Sequence, residues 1–244
     1  MKNEPIIHLD WCIEGLKLAL KNKNIVVIVD TLRFSSAVVT AIGNGFTIYP
    51  ISDQKKGAKL AASIGAEMSG KPGKAKYSIS PLSYLNTVGP DIKKVVLYSP
   101  NGAACAELVR EQVIAYIGCL LNAKAVGDEV TTTARKLKQN VTIIAAGEQQ
   151  AIDTGERIVY VKKKARRVFA VEDYLGCGAI ISYMPLLKST EAEVCELTFK
   201  ELRNKIEELL LESFSGKYLV QNNLEHDVKH AAQLNRYENI GDGA

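Results

Sequence analysis

Short apolar segments that end in polar turns and resume as helices recur along the chain, and this alternation constrains the fold more than any other feature. Residues 25–29 are all Ile or Val, and the polar turn 30–36 leads from them into an apolar helical segment. Residues 95–98 lead in the same way through the turn 99–102 into a helical segment. Strands that alternate with helices form largely parallel sheets covered by helices. We therefore predict an α/β fold, layered α/β/α around a largely parallel or mixed sheet, with the active site at the carboxyl ends of the strands.

The same pattern predicts elements along the whole chain. We predict strands at 5–9, 25–29, 46–51, 94–98, 113–117 and 141–145. We predict helices at 11–20, 35–42, 54–63, 102–111, 126–138, 171–185 and 195–212, and a last helix from Asp227. Residues 69–80 predict a loop, and residues 149–167 predict a hairpin whose turn is 153–155. We predict one domain over residues 1–244, with two closely packed α/β lobes as the alternative.

Composition and charge exclude several classes of protein. The chain has 244 residues, of which 47% are hydrophobic and 24% charged, as in globular proteins with a sizeable core. The formal net charge of +4 is modest, and the basic run 162–167 has no interleaved aromatic residues. We interpret that run as a solvated loop and expect no nucleic-acid partner. No apolar run reaches the length of a membrane span or resembles a leader, so we expect a cytoplasmic protein without a membrane partner.

The cysteines and histidines do not predict a metal or disulfide framework. The five cysteines include no C-x-x-C pair, and their number is odd. We expect reduced thiols that serve as small core residues. The three histidines are too scattered for a histidine-based metal site.

Asp30 is the first candidate for chemistry because it directly follows the most apolar strand. A carboxylate at a strand end can hold Mg²⁺ or act as a nucleophile, and it can equally cap the following helix. Arg33 favours a functional interpretation, since a guanidinium forms paired hydrogen bonds with phosphate or sulfonate oxygens. Ser35 and Ser36 can cap the helix or donate to an anion, so they do not separate the two interpretations.

The turn after the strand 94–98 is a second candidate. Gly102 permits close approach of the main chain, and Asn101 offers an amide donor. An ordinary turn between a strand and a helix is the alternative.

Four further carboxylates could act with Asp30. Glu172 and Asp173 begin a predicted helix, where they either complement the helix dipole or hold a divalent cation. Glu148 follows a buried strand at the same predicted sheet edge. We interpret Asp227 first as a helix cap and second as a ligand.

Several familiar phosphate-binding motifs are missing. A haloacid-dehalogenase-type phosphatase requires Asp-x-Asp, and Leu32 stands at the second position. A cysteine phosphatase requires Cys-x5-Arg, and the interval from Cys105 to Arg110 is one residue short. The chain has neither a P-loop nor the G-x-G-x-x-G motif of dinucleotide-binding folds.

The order and spacing of several segments together resemble the 2-phosphosulfolactate phosphatase family, the phosphatases of the coenzyme M pathway. These segments are residues 27–36, 80–84, 96–103, 118–123, 141–147, 169–180 and 227–232. The resemblance implies a Mg²⁺-dependent hydrolase that removes phosphate from a small acid bearing sulfonate and carboxylate groups. The chain departs from the family pattern at Ile79, at 98–100 and at 69–74. These departures bear on the identity of the substrate more than on the fold.

The matching positions give a set of expected roles. As catalytic residues we expect Asp30, Arg33 and Asp173. As substrate-binding residues we expect Arg33, Ser35, Ser80, Asn101 and Gly102. As Mg²⁺ ligands we expect carboxylates from among Asp30, Glu172, Asp173 and Asp227.

Two chemical routes and two other functions stay open. A carboxylate either orients or deprotonates the attacking water, or Asp30 itself attacks and forms an aspartyl-phosphate. A phosphatase for another small anionic ester and a non-catalytic anion- or metabolite-binding protein are the alternative functions. The size of the chain is compatible with a homodimer.

Overall fold

Parallel strands form the frame of the molecule, as the alternation of strands and helices predicted. The computed structural model describes residues 4–85, 93–160 and 167–242. The strands are β1 (Ile6–Trp11), β2 (Ile25–Val29), β3 (Phe46–Ile51), β4 (Glu67–Met68), β5 (Lys93–Tyr98), β6 (Ala115–Gly118), β7 (Val141–Ala145), β8 (Glu148–Gln149), β9 (Ala151–Asp153), β10 (Ile158–Tyr160), β11 (Arg167–Val168), β12 (Leu187–Lys188) and β13 (Gly241–Asp242).

Helices connect most of these strands. They are α1 (Cys12–Lys21), α2 (Phe34–Gly43), α3 (Gln54–Ile64), α4 (Gly102–Val109), α5 (Ala123–Leu137), α6 (Val171–Ile181), α7 (Thr190–Leu202), α8 (Ile206–Glu212), α9 (Phe214–Gln221) and α10 (Glu225–Ala231). Short 3₁₀ turns span Pro81–Tyr84, Leu120–Asn122 and Arg203–Lys205.

The main sheet has the strand order β12-β1-β7-β2-β6-β13. Its first five strands run parallel, and β13 pairs antiparallel with β6. In the central strand β2, Val27 pairs with Ile143 on one side and with Tyr116 on the other. Every residue of β2 is buried, because helices cover both faces of the sheet. The unbroken run of Ile and Val in this strand is the composition that such a position requires.

A second parallel sheet has the order β3-β5-β4. The predicted hairpin forms from β9 and β10, and a further antiparallel pair joins β11 to β8. Residues 161–166 of the predicted hairpin, which include most of the basic run, lie outside the described residues.

Two hydrophobic clusters cover opposite faces of the main sheet. Side chains alternate along β2, so Val27 and Val29 join one cluster and Val26 and Ile28 join the other. The first cluster includes residues of α5, α6 and α7, and the second includes residues of α1, α2, α4 and β5. The layered α/β fold predicted from the sequence is confirmed.

The predicted helix 195–212 was wrong as one element. The chain there forms α7, a 3₁₀ turn and α8, and α9 follows without having been predicted. The apolar positions keep helical spacing, but α7 packs mainly on α6, whereas α8 packs on α9 and α10 as well as on α6. The periodicity therefore records burial against different neighbours. The Ser213 side chain accepts a hydrogen bond from the main-chain N–H of Gly216 and starts α9 as a separate helix.

The cysteines are core residues, as predicted. All five are free and buried, which confirms their prediction as core thiols. Across the described ranges, no helix has both the length and the apolar character needed to cross a membrane.

Candidate active site

The carboxyl ends of β2, β5 and β7 border one cavity of about 200 Å³. Asp30 and Arg33 follow β2, Asn101 follows β5, and Glu148 begins β8 just after β7; all four line the cavity. Much of the remaining lining is apolar or aromatic, from Leu32, Ile79, Tyr160, Tyr218 and Leu219. The two turns that the sequence analysis singled out therefore meet at this cavity, although β2 and β5 belong to different sheets.

Both carboxylate oxygens of Asp30 accept hydrogen bonds from main-chain N–H groups. Oδ1 accepts from Phe34 at 3.2 Å, and Oδ2 accepts from Gly102 at 2.8 Å. Asp30 therefore holds the start of α2 and also faces the cavity, and its catalytic role stays a prediction. Burial raises the pKa of the Asp30 carboxyl. The two N–H groups lower that pKa, and so do the positive charges of Arg167 and then Arg33.

Gly102 is required for the close approach of α4 to Asp30. A Cβ at this position would lie 2.2 Å from Cδ1 of Phe34 and 2.8 Å from Oδ2 of Asp30. Asn101 and Gly102 are predicted to bind substrate, for which their main-chain N–H groups would be donors. The structure shows them donating to Ser99 Oγ and Asp30 Oδ2, so the role shown for Gly102 is to hold Asp30.

Asp173 joins the loops that follow β2 and β7. Its Oδ1 accepts from the N–H of Thr31 at 2.8 Å, and its Oδ2 accepts from the N–H of Gly147 at 2.9 Å. Burial raises the pKa of Asp173 well above its ordinary value, and the charges of Asp30 and Glu172 raise it further. The structure thus gives Asp173 a role in fixing these loops, and its catalytic role stays a prediction.

Glu172 is buried and lines a neighbouring cavity of about 350 Å³. This cavity shares Glu148, Gln149 and Ser215 with the first one. Burial raises the pKa of Glu172, the Ser215 hydroxyl lowers it, and the charge of Asp30 raises it. Glu172 therefore lies within the electrostatic reach of Asp30 at the junction of the two cavities.

Arg33 is held by Asp227. The guanidinium Nη1 lies 2.5 Å from Asp227 Oδ2, and the Ser80 hydroxyl donates to Asp227 Oδ1 at 2.5 Å. Ser35 is fully buried, and its hydroxyl accepts from the N–H of Asp30 at 2.9 Å. Ser35 and Ser80, which we expected to bind substrate, thus use their hydroxyls within the protein, and neither lines the cavity.

Glu148 is hydrogen-bonded to the other predicted turn. Its Oε1 accepts from Asn101 Nδ2 at 3.2 Å and from the N–H of Gln149 at 2.6 Å. Burial raises the pKa of Glu148 to about 7, and the charges of Asp30 and Glu172 contribute to the rise. A carboxyl that titrates near neutrality is suited to proton transfer.

Arg167 was not among the site residues predicted from the sequence. Its Nη2 donates to the Pro100 carbonyl oxygen at 2.6 Å, and its Nη1 is buried with no hydrogen-bond partner among the described residues. We had interpreted Arg167 as the end of a solvated basic run. The one indication in the sequence was that Arg167 directly precedes a short apolar segment. That indication is weak evidence for a site residue. Thr31 Oγ1 and Asn101 Oδ1 are also buried without partners in the described part of the chain, so several polar atoms with no hydrogen bond there border the strand ends.

The four predicted Mg²⁺ ligands do not form one cluster. In the described part of the chain, no group of three or more His, Cys, Asp or Glu side chains is arranged to hold a metal ion. Asp30, Asp173 and Asp227 each have both carboxylate oxygens engaged by protein donors. Mg²⁺ commonly takes one or two carboxylates and completes its shell with water and substrate oxygens. Of the four carboxylates, Asp30 lines the first cavity and Glu172 lines the neighbouring one, so these two are placed where a substrate could meet an ion.

Comparison with known proteins shows similarity along nearly the whole chain. The sequence profile of a family described as 2-phosphosulpholactate phosphatase matches residues 13–242. A protein of Carboxydothermus hydrogenoformans named probable 2-phosphosulfolactate phosphatase is 29% identical over 236 residues, covering 93% of this chain and 89% of that protein. Proteins with the same name are 26% identical in Pseudothermotoga lettingae, with coverages of 89% and 88%, and 27% identical in Thermotoga maritima, with coverages of 88% and 86%.

Proposed function

The chain belongs to the 2-phosphosulfolactate phosphatase family, and from this premise we propose that it hydrolyses 2-phosphosulfolactate to sulfolactate and phosphate with Mg²⁺ as cofactor. This activity would place the protein in coenzyme M biosynthesis. Location in the cytoplasm and a homodimeric state remain predictions.

One observation carries the proposal. Asp30, Arg33 and Asn101, chosen from two separate turns of the sequence, line the same small cavity. A carboxylate, a guanidinium and an amide around one cavity are the groups that phosphoryl transfer uses to position and stabilise its transition state.

The side chains have distinct roles in this proposal. Arg33, fixed by Asp227, binds phosphoryl oxygens through the donors that its ion pair leaves unused. Asn101 orients the ester, and its amide also holds Glu148 in place. Glu148 accepts a proton from water as the water oxygen bonds to phosphorus. The ester P–O bond breaks, the leaving sulfolactate oxygen takes up a proton from solvent, and the protonated Glu148 returns its proton to solvent.

Mg²⁺ would be held by Asp30 and Glu172. When bound, the ion neutralises charge on the phosphoryl oxygens. Attack on phosphorus by Asp30 itself is the competing route. Both Asp30 oxygens accept main-chain hydrogen bonds, which stabilise the carboxylate and lower its nucleophilicity.

A different small phosphate ester is the second candidate substrate. The apolar lining from Leu32, Ile79 and Leu219 favours it, because these side chains offer no donors to a sulfonate. Non-catalytic anion binding on the same scaffold is the alternative outside catalysis.

The direct experiment is phosphate release from racemic 2-phosphosulfolactate, with Mg²⁺ and with EDTA. We expect Mg²⁺-dependent turnover in the wild type and a loss of at least about 100-fold in Asp30→Asn. Asp53→Asn is the matched control, because Asp53 caps α3 through the N–H of Lys56 and lies outside the cavity lining. If Asp30→Asn kept normal turnover, Asp30 would be a helix cap alone. If the wild type had no activity on this ester, a panel of small phosphate esters would separate a different phosphatase from a binding protein.

A further inference from the structure

Arg167 carries a hydrogen-bond donor that the described residues leave unused. Nη2 is fixed on the Pro100 carbonyl oxygen, whereas Nη1 is buried without a partner. A guanidinium keeps its positive charge in proteins, so Nη1 is always a donor that needs a hydrogen-bond acceptor. A buried charged donor without an acceptor is costly, and a ligand or a bound water is the usual explanation.

The main chain places this guanidinium beside the cavity. β11 pairs with β8 so that Arg167 lies opposite Gln149, a residue of the cavity lining. Pro100, which accepts from Nη2, also lines the cavity. The charge of Arg167 affects Asp30 more strongly than that of Arg33 does. Arg167 therefore acts electrostatically on the centre of the site although it lies far from Asp30 in the sequence.

The cavity lining itself provides little free positive charge. Among the described lining residues, Arg33 is the one cation, and it is already paired with Asp227 at 2.5 Å. Asp30 and Glu148 add negative charge to the same lining. A substrate with several acidic groups would therefore be bound more tightly with a further protein cation, in addition to the proposed Mg²⁺.

We propose that Arg167 is a second anion-binding residue of this site, which donates from Nη1 to a tetrahedral oxyanion of the substrate while Nη2 stays on Pro100. The oxyanion is a phosphoryl or a sulfonate group. The proposal rests on the proposed function for the substrate, but its test does not require turnover.

The test titrates inorganic phosphate, and separately sulfate, into the full chain in EDTA by calorimetry. Arg167→Gln removes the charge, and Arg167→Lys keeps it. Arg157→Gln is the matched control, because Arg157 is exposed in the turn between β9 and β10. We expect Arg167→Gln to weaken binding of at least one anion by about 10- to 100-fold, as for loss of a charge-assisted hydrogen bond. The anion that loses affinity identifies the group that Arg167 binds.

The Lys variant is expected to fall between the wild type and Arg167→Gln, and the Arg157 variant to match the wild type. If Arg167→Gln does not fold, as judged by its thermal transition, Arg167→Lys is titrated instead. Lysine cannot hold Pro100 and donate to the anion in the fork geometry of arginine, so a loss of several-fold is expected. Wild-type anion affinity in the folded variant would mean that a water satisfies Nη1, and it would overturn the proposal.

The two proposals fail in different ways. Turnover of 2-phosphosulfolactate with anion binding independent of Arg167 would overturn this inference alone. Anion binding that depends on Arg167 without turnover would support this inference and contradict the proposed substrate.

Discussion

Glu148 is expected to lower the stability of the folded protein at alkaline pH, and replacing it by Gln is expected to remove this effect. Its pKa rises from an ordinary value of 4.5 to about 7, mainly because of burial. The folded state therefore binds the proton more tightly than the unfolded chain. The contribution of Glu148 to stability is fully present below pH 4.5 and is lost as the pH rises through about 7.

The size of the effect follows from the two pKa values. The difference between the ordinary pKa of Glu148 and its raised pKa corresponds to about 3 kcal/mol of folding free energy, at about 1.4 kcal/mol for each pKa unit. Glu148 is partly exposed, so solvent screening reduces this figure to about 2 kcal/mol. Glutamine keeps an oxygen that can accept from Asn101 and Gln149, so the hydrogen bonds of Oε1 are retained.

The measurement is urea unfolding of the wild type and Glu148→Gln at pH 5 and pH 8, in EDTA so that no cation holds the carboxylate ionised. We expect the variant to be about 2 kcal/mol more stable than the wild type at pH 8, and within about 1 kcal/mol at pH 5. Glu156→Gln, in the exposed turn between β9 and β10, is the control and is expected to show no such dependence. Equal differences at the two pH values would refute the argument that burial raises the pKa of Glu148.

Two other substitutions test the packing of the site. Gly102→Ala is expected to destabilise the protein by about 1–3 kcal/mol in urea unfolding, because the new methyl group would overlap Phe34 and approach Asp30; unchanged stability would mean that α4 can shift away. Arg33→Met is expected to cost about 3 kcal/mol, because it leaves Asp227, which is 1% exposed, as a buried unpaired carboxylate. Adding Asp227→Asn is expected to recover part of that loss, and strictly additive unfolding energies would contradict a direct ion pair.

From the sequence, site residues could be predicted only where they directly follow an apolar strand. Asp30 and Asn101 follow apolar strands, so their place at strand ends could be predicted from a few neighbouring residues. Glu148 was recognised for the same reason. The sequence did not predict that the hydroxyls of Ser35 and Ser80 are occupied within the protein, because their partners depend on the packed geometry.

The sequence by itself determined the α/β class and the strand-end location of Asp30. These features depend on hydrophobic runs and turn residues that act over a few positions. Tertiary structure decided the rest. The N–H of Gly102 meets Asp30 across 72 positions, and Asp173 meets the N–H of Thr31 across 142. Arg167 reaches Pro100 across 67 positions. Such contacts form only when two sheets and the start of α6 pack together, and no local pattern in the chain records that geometry.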